Sequence, residues 1–281
     1  MKNPLSYIPM QIWTIVGIFA IWQAGVMIFD VKPIILPPVP MVLSELFGNF
    51  ELYLRHGGHT LGNTLIAFVI SVVVGIGMAI GIVYSKFLER TLYTLLVTLN
   101  NVPKVALAPL FVIWMGTGNA SKIAMGVLIS IFAIVIDTVL GLRSLHPDLI
   151  DLGRAMRGSE LKVLIKLRLP NAMPSILAGM KVAISLALVG AIVGEFVAAQ
   201  NGLGFVILSS QGAFRVDRVY ASIIVLSAIG TGLYYAMEYA ESKLIPWHES
   251  RRGSARPTPS KPPQKPAQPA AADPVRSDAK A

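Results

Sequence analysis

The chain has no cysteine among its 281 residues, so it can form neither disulfides nor thiolate metal sites. Its four histidines are scattered and lack the spacing of metal ligands. Charged residues are also scarce, at 14% where soluble domains have about a quarter, while 54% of residues are hydrophobic. Together with a mean hydropathy of +0.65, these scarcities exclude an ordinary soluble fold and predict an integral membrane protein.

Sequence signatures of enzymes are missing as well. There is no Gly-rich phosphate-binding loop of the Walker type, so we expect no ATP site on this chain. No Ser/His/Asp or metal-ligand cluster emerges from the polar residues, so we expect neither catalysis nor a bound cofactor. The net charge of +9 could suggest nucleic acid, but the positive residues gather in particular loops and in the C-terminal tail, as membrane topology requires. We therefore expect no nucleic-acid partner.

Six apolar runs are long enough to cross a hydrocarbon core of about 30 Å as helices. They are approximately Ile12–Phe29, Leu61–Tyr84, Leu92–Met115, Ile123–Leu142, Pro174–Ala198 and Val219–Tyr239. With a cytoplasmic N-terminus, seventeen Lys and Arg lie in internal segments and five in external ones. Because cytoplasmic segments carry the excess of positive residues, both termini are expected in the cytoplasm.

The chain divides into three regions. Residues 1–59 hold the first transmembrane helix and a proline-rich external segment, in which the amphipathic stretch Met41–Leu54 predicts a helix at the membrane interface. Residues 60–245 form the transmembrane core, with a long cytoplasmic loop at about 148–170. Residues 246–281 are rich in Pro, Ala, Lys and Arg and cannot bury a core, so we expect a disordered basic tail in the cytoplasm.

The third predicted span contains an unusual polar stretch, Asn100-Asn101-Val-Pro103-Lys104, followed by Pro109. A charge at this depth costs several kcal/mol unless it faces a cavity or a partner. The two prolines remove backbone donors and disfavour a straight helix, which leaves carbonyls free to face a polar path. One interpretation is a substrate pathway or gate that attracts an anion. The other is a structural kink, with Lys104 snorkelling or paired to a carboxylate.

Two acidic residues lie in predicted spans. Glu195 is near the outer end of the fifth span, and Asp137 is near the cytoplasmic end of the fourth. Either could neutralise Lys104, although their depths match it poorly. We include Glu195 as a tentative pathway residue, with a structural hydrogen bond to the following loop as the alternative. For Asp137 we expect a packing role on the cytoplasmic side.

A polar, cationic segment of helical character lies between the fourth and fifth spans. It begins at Asp151 and ends with the Leu-Pro step at Pro170. The excess of positive charge on internal loops explains its Lys and Arg residues but not the acidic beginning or the Leu-Pro ending. We interpret the segment as the element on which a separate energy-providing subunit docks.

This segment resembles the EAA loop of bacterial ABC-importer permeases, whose pattern is Glu-Ala-Ala, three residues, Gly, and later an apolar residue before Leu-Pro. Asp151-Leu152-Gly153 takes the Glu-Ala-Ala place and keeps the acid. The consensus glycine falls at Arg157, with Gly158 one place later. The residues that the resemblance assigns to docking are Asp151, Leu152, Gly153, Arg154, Arg157, Gly158, Glu160, Lys162 and Pro170.

Further stretches are similar to the nitrate/sulfonate/taurine group of these permeases. Leu36–Val42 resembles its Leu-Pro-Ser-Pro entry, and Asn101–Gly116 resembles its Asn-x-Pro…Trp-Phe-Gly segment. Leu169–Gly179 and Gly194–Gly204 are similar to two more blocks. The resemblance covers roughly residues 35–245.

The resemblance implies a type I ABC importer permease fold, with six transmembrane helices and cytoplasmic coupling helices. It implies a cytoplasmic ABC ATPase that carries ATP and Mg, a periplasmic or lipid-anchored substrate-binding protein, and a permease homodimer in the bacterial inner membrane. The expected cargo is a small anionic solute such as nitrate, a sulfonate, taurine or a related organic acid. The alternative is a self-sufficient secondary transporter or channel, which predicts internal repeats and a mid-membrane acidic site; neither is evident in this sequence.

Overall fold

The computed structural model describes residues 10–156, 158–198 and 200–245. All of them belong to one compact unit, Met1–Pro246. The predicted disordered tail at 246–281 lies outside the described residues and stays a prediction.

The described residues are helical throughout, with short connections. The α-helices, in chain order, are α1 Met10–Ile28, α2 Val39–Gly48, α3 Phe50–Tyr84, α4 Lys86–Leu88, α5 Thr94–Asn100, α6 Ala108–Met115, α7 Asn119–Arg143, α8 Pro147–Ala155, α9 Glu160–Val163, α10 Leu169–Ala198, α11 Leu203–Gly212 and α12 Val216–Leu244. Wider π-type turns at Glu89–Tyr93 and Leu164–Arg168 join α4 to α5 and α9 to α10.

Four helical segments of the described chain are long and apolar enough to cross a membrane, namely Phe50–Tyr84, Asn119–Arg143, Glu160–Val197 and Val216–Leu244. They contain the predicted second, fourth, fifth and sixth spans. The first predicted span corresponds to α1, whose 19 residues extend about 28 Å at ~1.5 Å per residue, close to the thickness of the hydrocarbon core.

The third predicted span, Leu92–Met115, is not one helix. It ends as α5 at Asn100, turns through Asn101–Pro103, forms a 3₁₀ turn at Lys104–Leu107 and resumes as α6. Pro103 has an extended ψ of 89°, and Pro109 lies in the first turn of α6, where a missing N–H is tolerated. The break expected from these two prolines is therefore present.

The predicted interfacial stretch Met41–Leu54 falls on two helices of the structure. Met41–Leu54 is not a single helix, because the chain leaves helical geometry at Asn49, with φ −121° and ψ 33°. The first part belongs to α2 and the second to α3, which begins at Phe50 and has 35 residues. At ~1.5 Å per residue, α3 is about 52 Å long and therefore extends beyond a ~30 Å core.

Helices α7 and α10 pack antiparallel along their whole length through small residues. A Cβ added at Gly190 would lie 2.6 Å from Gly126 Cα, and one added at Gly194 would lie 2.8 Å from Lys122 Cα. Near the other end, a Cβ on Gly179 would lie 2.7 Å from Asp137 Cβ. Such close backbone approach is typical of membrane helices that associate through small residues.

Helix α3 runs parallel to α7 and packs against it. The hydroxyls of Ser71 and Ser130 are hydrogen-bonded at 2.7 Å in the buried contact, and Gly75 packs against Ile134. The N-terminal ends of α3 and α7 therefore lie at the same end of the molecule as the last turn of α10, which is the outer end in the predicted topology. The helices α8 and α9 lie at the opposite end, because they follow α7 and precede α10.

Candidate functional site

The predicted docking segment folds as two short helices, α8 and α9, joined by a tight connection. Pro147 begins α8, where its fixed φ suits a first turn, and Asp148 adds an acid near the helix N-terminus. Ser159 caps α9, since its Oγ accepts a hydrogen bond of 3.4 Å from the Lys162 N–H. These local signals explain why a polar segment between two spans is helical.

Two predicted glycines bring α8 against the connection that follows it. The Gly158 N–H donates to the Gly153 carbonyl at 3.1 Å, and a Cβ on Gly158 would lie 2.6 Å from that oxygen. A Cβ on Gly153 would lie 2.9 Å from a methyl carbon of Leu167. Gly158 thus provides a close approach that no other residue would permit. Arg157, at the family's glycine position, lies outside the described residues.

The docking segment exposes an apolar face. Leu149, Leu152 and Met156 are 47%, 57% and 77% exposed, and their spacing places them on one side of α8 and its last turn. Leu161 and Ile165, in the turns that follow, are exposed as well. The predicted docking residues Asp151, Glu160, Lys162 and Pro170 are exposed too.

Polar contacts attach this segment to the membrane helices. Tyr84 Oη donates to the Glu160 carbonyl at 3.5 Å, and the Arg168 guanidinium lies 5.1 Å from the Tyr84 ring centre. Asn171 Nδ2 donates to Ser144 Oγ at 2.9 Å, which joins the start of α10 to the end of α7. A displacement of α8 and α9 would therefore be passed to the ends of α3, α7 and α10.

Lys104 lies at the break in the third span. Its ammonium donates to Asn100 Oδ1 at 2.6 Å and stands 4.4 Å from the centre of the Phe132 ring. Within the described ranges no carboxylate pairs with it, so the expected partner, Asp137 or Glu195, is not found in this conformation. The break therefore presents a cation held by an amide and an aromatic ring.

Glu195 is fully buried, with 1% exposure. Its carboxylate accepts a hydrogen bond from Thr60 Oγ1 at 2.9 Å and another from the Gly204 N–H at 2.9 Å. The hydrogen bond to the following loop, considered from the sequence, is therefore present. Thr60, 135 residues away in the chain, was not identified from the sequence.

A second polar cluster joins α2 to the start of α12. Glu45 Oε2 accepts from Arg215 Nη2 at 2.8 Å, and Glu45 Oε1 accepts from Arg218 Nε at 2.7 Å. Tyr53 Oη also donates to Glu45, at 3.4 Å. Hydrogen bonds from Arg215 to Asp217 raise the pKa of the Arg215 guanidinium, which keeps it charged. From the sequence, Arg215 and Arg218 are counted only as positive charges of external segments, and this cluster is not predicted.

The fold and these features define a helical membrane protein in which a polar helical segment joins two of the long apolar helices. Residues 71–246 match the family described as binding-protein-dependent transport system inner membrane component. The chain belongs to this family, and it is the permease subunit of an ABC importer. The matched region contains the docking segment, the broken third span and Glu195. A self-sufficient carrier is not favoured.

Similar proteins of this family are found in several bacteria. A probable ABC transporter permease of Haemophilus influenzae is 32% identical over 82% of this chain and 95% of its own length. The formylaminopyrimidine transport permease of Halalkalibacterium halodurans is also 32% identical, over 83% and 94%. The taurine transport permease of Escherichia coli is 28% identical, over 87% and 92%.

Solved structures confirm the fold. An inward-facing form of the MetNI methionine ABC transporter aligns with a TM-score of 0.57, covering 70% of this chain and 96% of the compared chain at 17% identity.

The described residues contain no group of three His, Cys, Asp or Glu that could hold a metal ion.

Proposed function

We propose that Leu149, Leu152, Met156, Leu161 and Ile165 form a cytoplasmic apolar face, which binds a separate ABC ATPase together with its charged neighbours. The supporting observation is the exposure of Leu149, Leu152 and Met156 on a short helix that lies outside the four helical segments able to cross a membrane. A soluble surface that keeps a contiguous apolar face is typical of an interaction site. Asp151, Glu160 and Lys162 stand beside it and can form charge-assisted hydrogen bonds with a partner.

The same proposal assigns ATP binding and hydrolysis to a separate subunit. ATP and Mg bind to the ATPase, and two copies of this chain enclose the pathway in the bacterial inner membrane. Both chain termini are cytoplasmic, and a periplasmic or lipid-anchored binding protein delivers the solute at the outer end. The docking segment passes ATPase closure to α3, α7 and α10 through Tyr84, Asn171 and the π-type turn at Leu164–Arg168.

The solute pathway is proposed to pass the break in the third span, at Asn100, Asn101, Pro103 and Lys104. The Lys104 side chain is held by an amide oxygen and an aromatic ring, and its N–H groups are hydrogen-bond donors suited to an anionic solute. Relatives named for taurine and aliphatic sulfonates support this class of cargo. Relatives named for riboflavin and formylaminopyrimidine make uncharged heterocycles the second candidate.

The test compares two exposed leucines at opposite ends of the molecule. Leu152→Ser removes part of the cytoplasmic apolar face, whereas Leu54→Ser changes a leucine of similar exposure near the outer end of α3. Losing a buried leucine contact corresponds to about 1.5–3 kcal/mol, or roughly 10–100-fold in affinity. We expect Leu152→Ser to lose the co-purifying ATPase and Leu54→Ser to keep it. Equal retention of the ATPase by both variants would contradict the docking assignment.

A further inference from the structure

Three consecutive backbone amides at the start of α11 are held by three side chains from other helices. The Gly202 N–H donates to His56 Nδ1 at 3.1 Å, the Leu203 N–H to Thr60 Oγ1 at 2.9 Å, and the Gly204 N–H to Glu195 Oε2 at 2.9 Å. The first amides of a helix have no partner within the helix itself. Here α3 and α10 supply those partners, so α11 is fixed to both.

The acceptor from α10 is a carboxylate at the positive end of a helix dipole. A helix N-terminus carries roughly half a positive charge and is a suitable place for an anion. Glu195 fills this place from inside the protein, and the Thr60 hydroxyl donates to the same carboxylate. The fit is tight, because a side chain on Gly202, which has φ +109°, would overlap the Glu195 carboxyl group.

A buried lysine lies beside this carboxyl group. Lys122, on the first turns of α7, is only 3% exposed. Among the residues that the structure describes, it has no hydrogen bond or ion pair, and Glu195 is the charged group that acts on it. Gly194, next to Glu195, packs directly on Lys122 Cα. Lys122 thus connects the N-terminal end of α7 to the same cluster.

The start of α11 also contacts the peripheral helices. Leu203 is completely buried and lies in one cluster with Val42 of α2, Tyr53 of α3 and Ala221 of α12. The α11 helix has ten residues, about 15 Å, and is too short to cross the membrane. Its position is therefore set by the side chains that hold its first turn.

We propose that Glu195 is a positioning residue for transport, which holds α11 and the outer ends of α3, α7 and α10 in one closed arrangement. This inference rests on the proposed function, because the closed arrangement restrains an ATPase docked at the other end. If the outer ends of α3, α7 and α10 separate, either the hydrogen bonds of this carboxylate break or all these helices move together with α11. Without the carboxylate, the outer ends separate more readily and the ATPase turns over without delivered solute.

The experiment uses the complete chain with its ATPase in lipid vesicles and measures ATP hydrolysis without binding protein or solute. Glu195→Ala removes the internal anion, and added formate is the probe that can refill its place. Loss of hydrogen bonds to a charged group shifts an equilibrium by roughly tenfold or more. We expect hydrolysis to rise by about that factor and formate to reverse the rise. Glu51→Ala, an exposed acid at the outer end of α3, is the control and should leave hydrolysis unchanged.

Two milder variants test the same inference if the Glu195→Ala protein does not assemble with the ATPase. Glu195→Gln keeps the shape but removes the charge, and Thr60→Val removes the hydroxyl that joins Leu203 to Glu195. Both should raise hydrolysis by a smaller factor, and formate should not reverse either effect. Unchanged hydrolysis in every assembled variant, or an increase in Glu195→Ala that formate leaves in place, would overturn the inference. Failure of the wild-type complex to assemble with an ATPase would instead contradict the proposed function.

Discussion

The close packing of α7 on α10 can be tested by comparing the stability of two glycine-to-alanine variants. A Cβ at Gly190 would lie 2.6 Å from Gly126 Cα and 2.7 Å from the Met125 carbonyl oxygen. Both are backbone atoms, so relief requires the two helices to move apart. Gly77 of α3 has nothing within 4 Å of its added Cβ. Gly190→Ala should therefore destabilise the fold by roughly 1–3 kcal/mol, the usual cost of overpacking.

Gly77→Ala should be neutral or stabilise by up to about 1 kcal/mol, since alanine is the better helix former. Thermal unfolding of the purified proteins in one detergent, followed by circular dichroism, measures both variants. A change of 1 kcal/mol moves the midpoint by about 2–4 °C for a chain of this size. We therefore expect the Gly190→Ala midpoint to fall by roughly 2–12 °C. A midpoint equal to that of Gly77→Ala would refute the close packing of α7 on α10.

Three further predictions follow from the polar features. Gly202→Ala should abolish assembly, because its side chain would overlap Glu195, whereas Gly212→Ala, with open space around its Cβ, should assemble normally in a size-exclusion assay. Glu45→Gln should cost roughly 1 kcal/mol of stability, a small value because Arg215 is half exposed, and should lower the melting midpoint by about 2–4 °C. High salt should reduce the difference in melting midpoint between this variant and the wild-type protein. Lys104→Gln should reduce by about tenfold the uptake of the labelled anion that the wild-type complex carries in vesicles, tested with nitrate and an aliphatic sulfonate; unchanged uptake would contradict selection by charge.

Features that depend on neighbouring residues could be predicted from the sequence. The four long membrane helices follow from the length of their apolar runs, and the break in the third span follows from Pro103 and Pro109. The helical docking segment follows from Pro147 and Ser159 at its helix starts. Each of these signals acts within a few residues of the structure that it specifies.

Features that depend on distant residues could not be predicted. Glu45 meets Arg215 and Arg218 across 170 and 173 residues, and Thr60 meets Glu195 across 135. Nothing in the local pattern marks Thr60 as the partner of a buried carboxylate, because a threonine in an apolar helix usually bonds to its own backbone. The family pattern has its glycine at the position of Arg157, whereas in this chain Gly158, one place later, makes the close approach to Gly153.

The most direct test of the ATPase-docking proposal uses the absence of cysteine in this chain. A single Leu152→Cys variant places one thiol on the cytoplasmic apolar face, and Gln211→Cys places one at the exposed end of α11. Labelling by a maleimide is measured in purified protein with and without the ATPase. We predict that the ATPase protects the thiol at position 152 and leaves the one at position 211 reactive. Equal labelling at position 152 in the assembled complex would contradict docking at this segment.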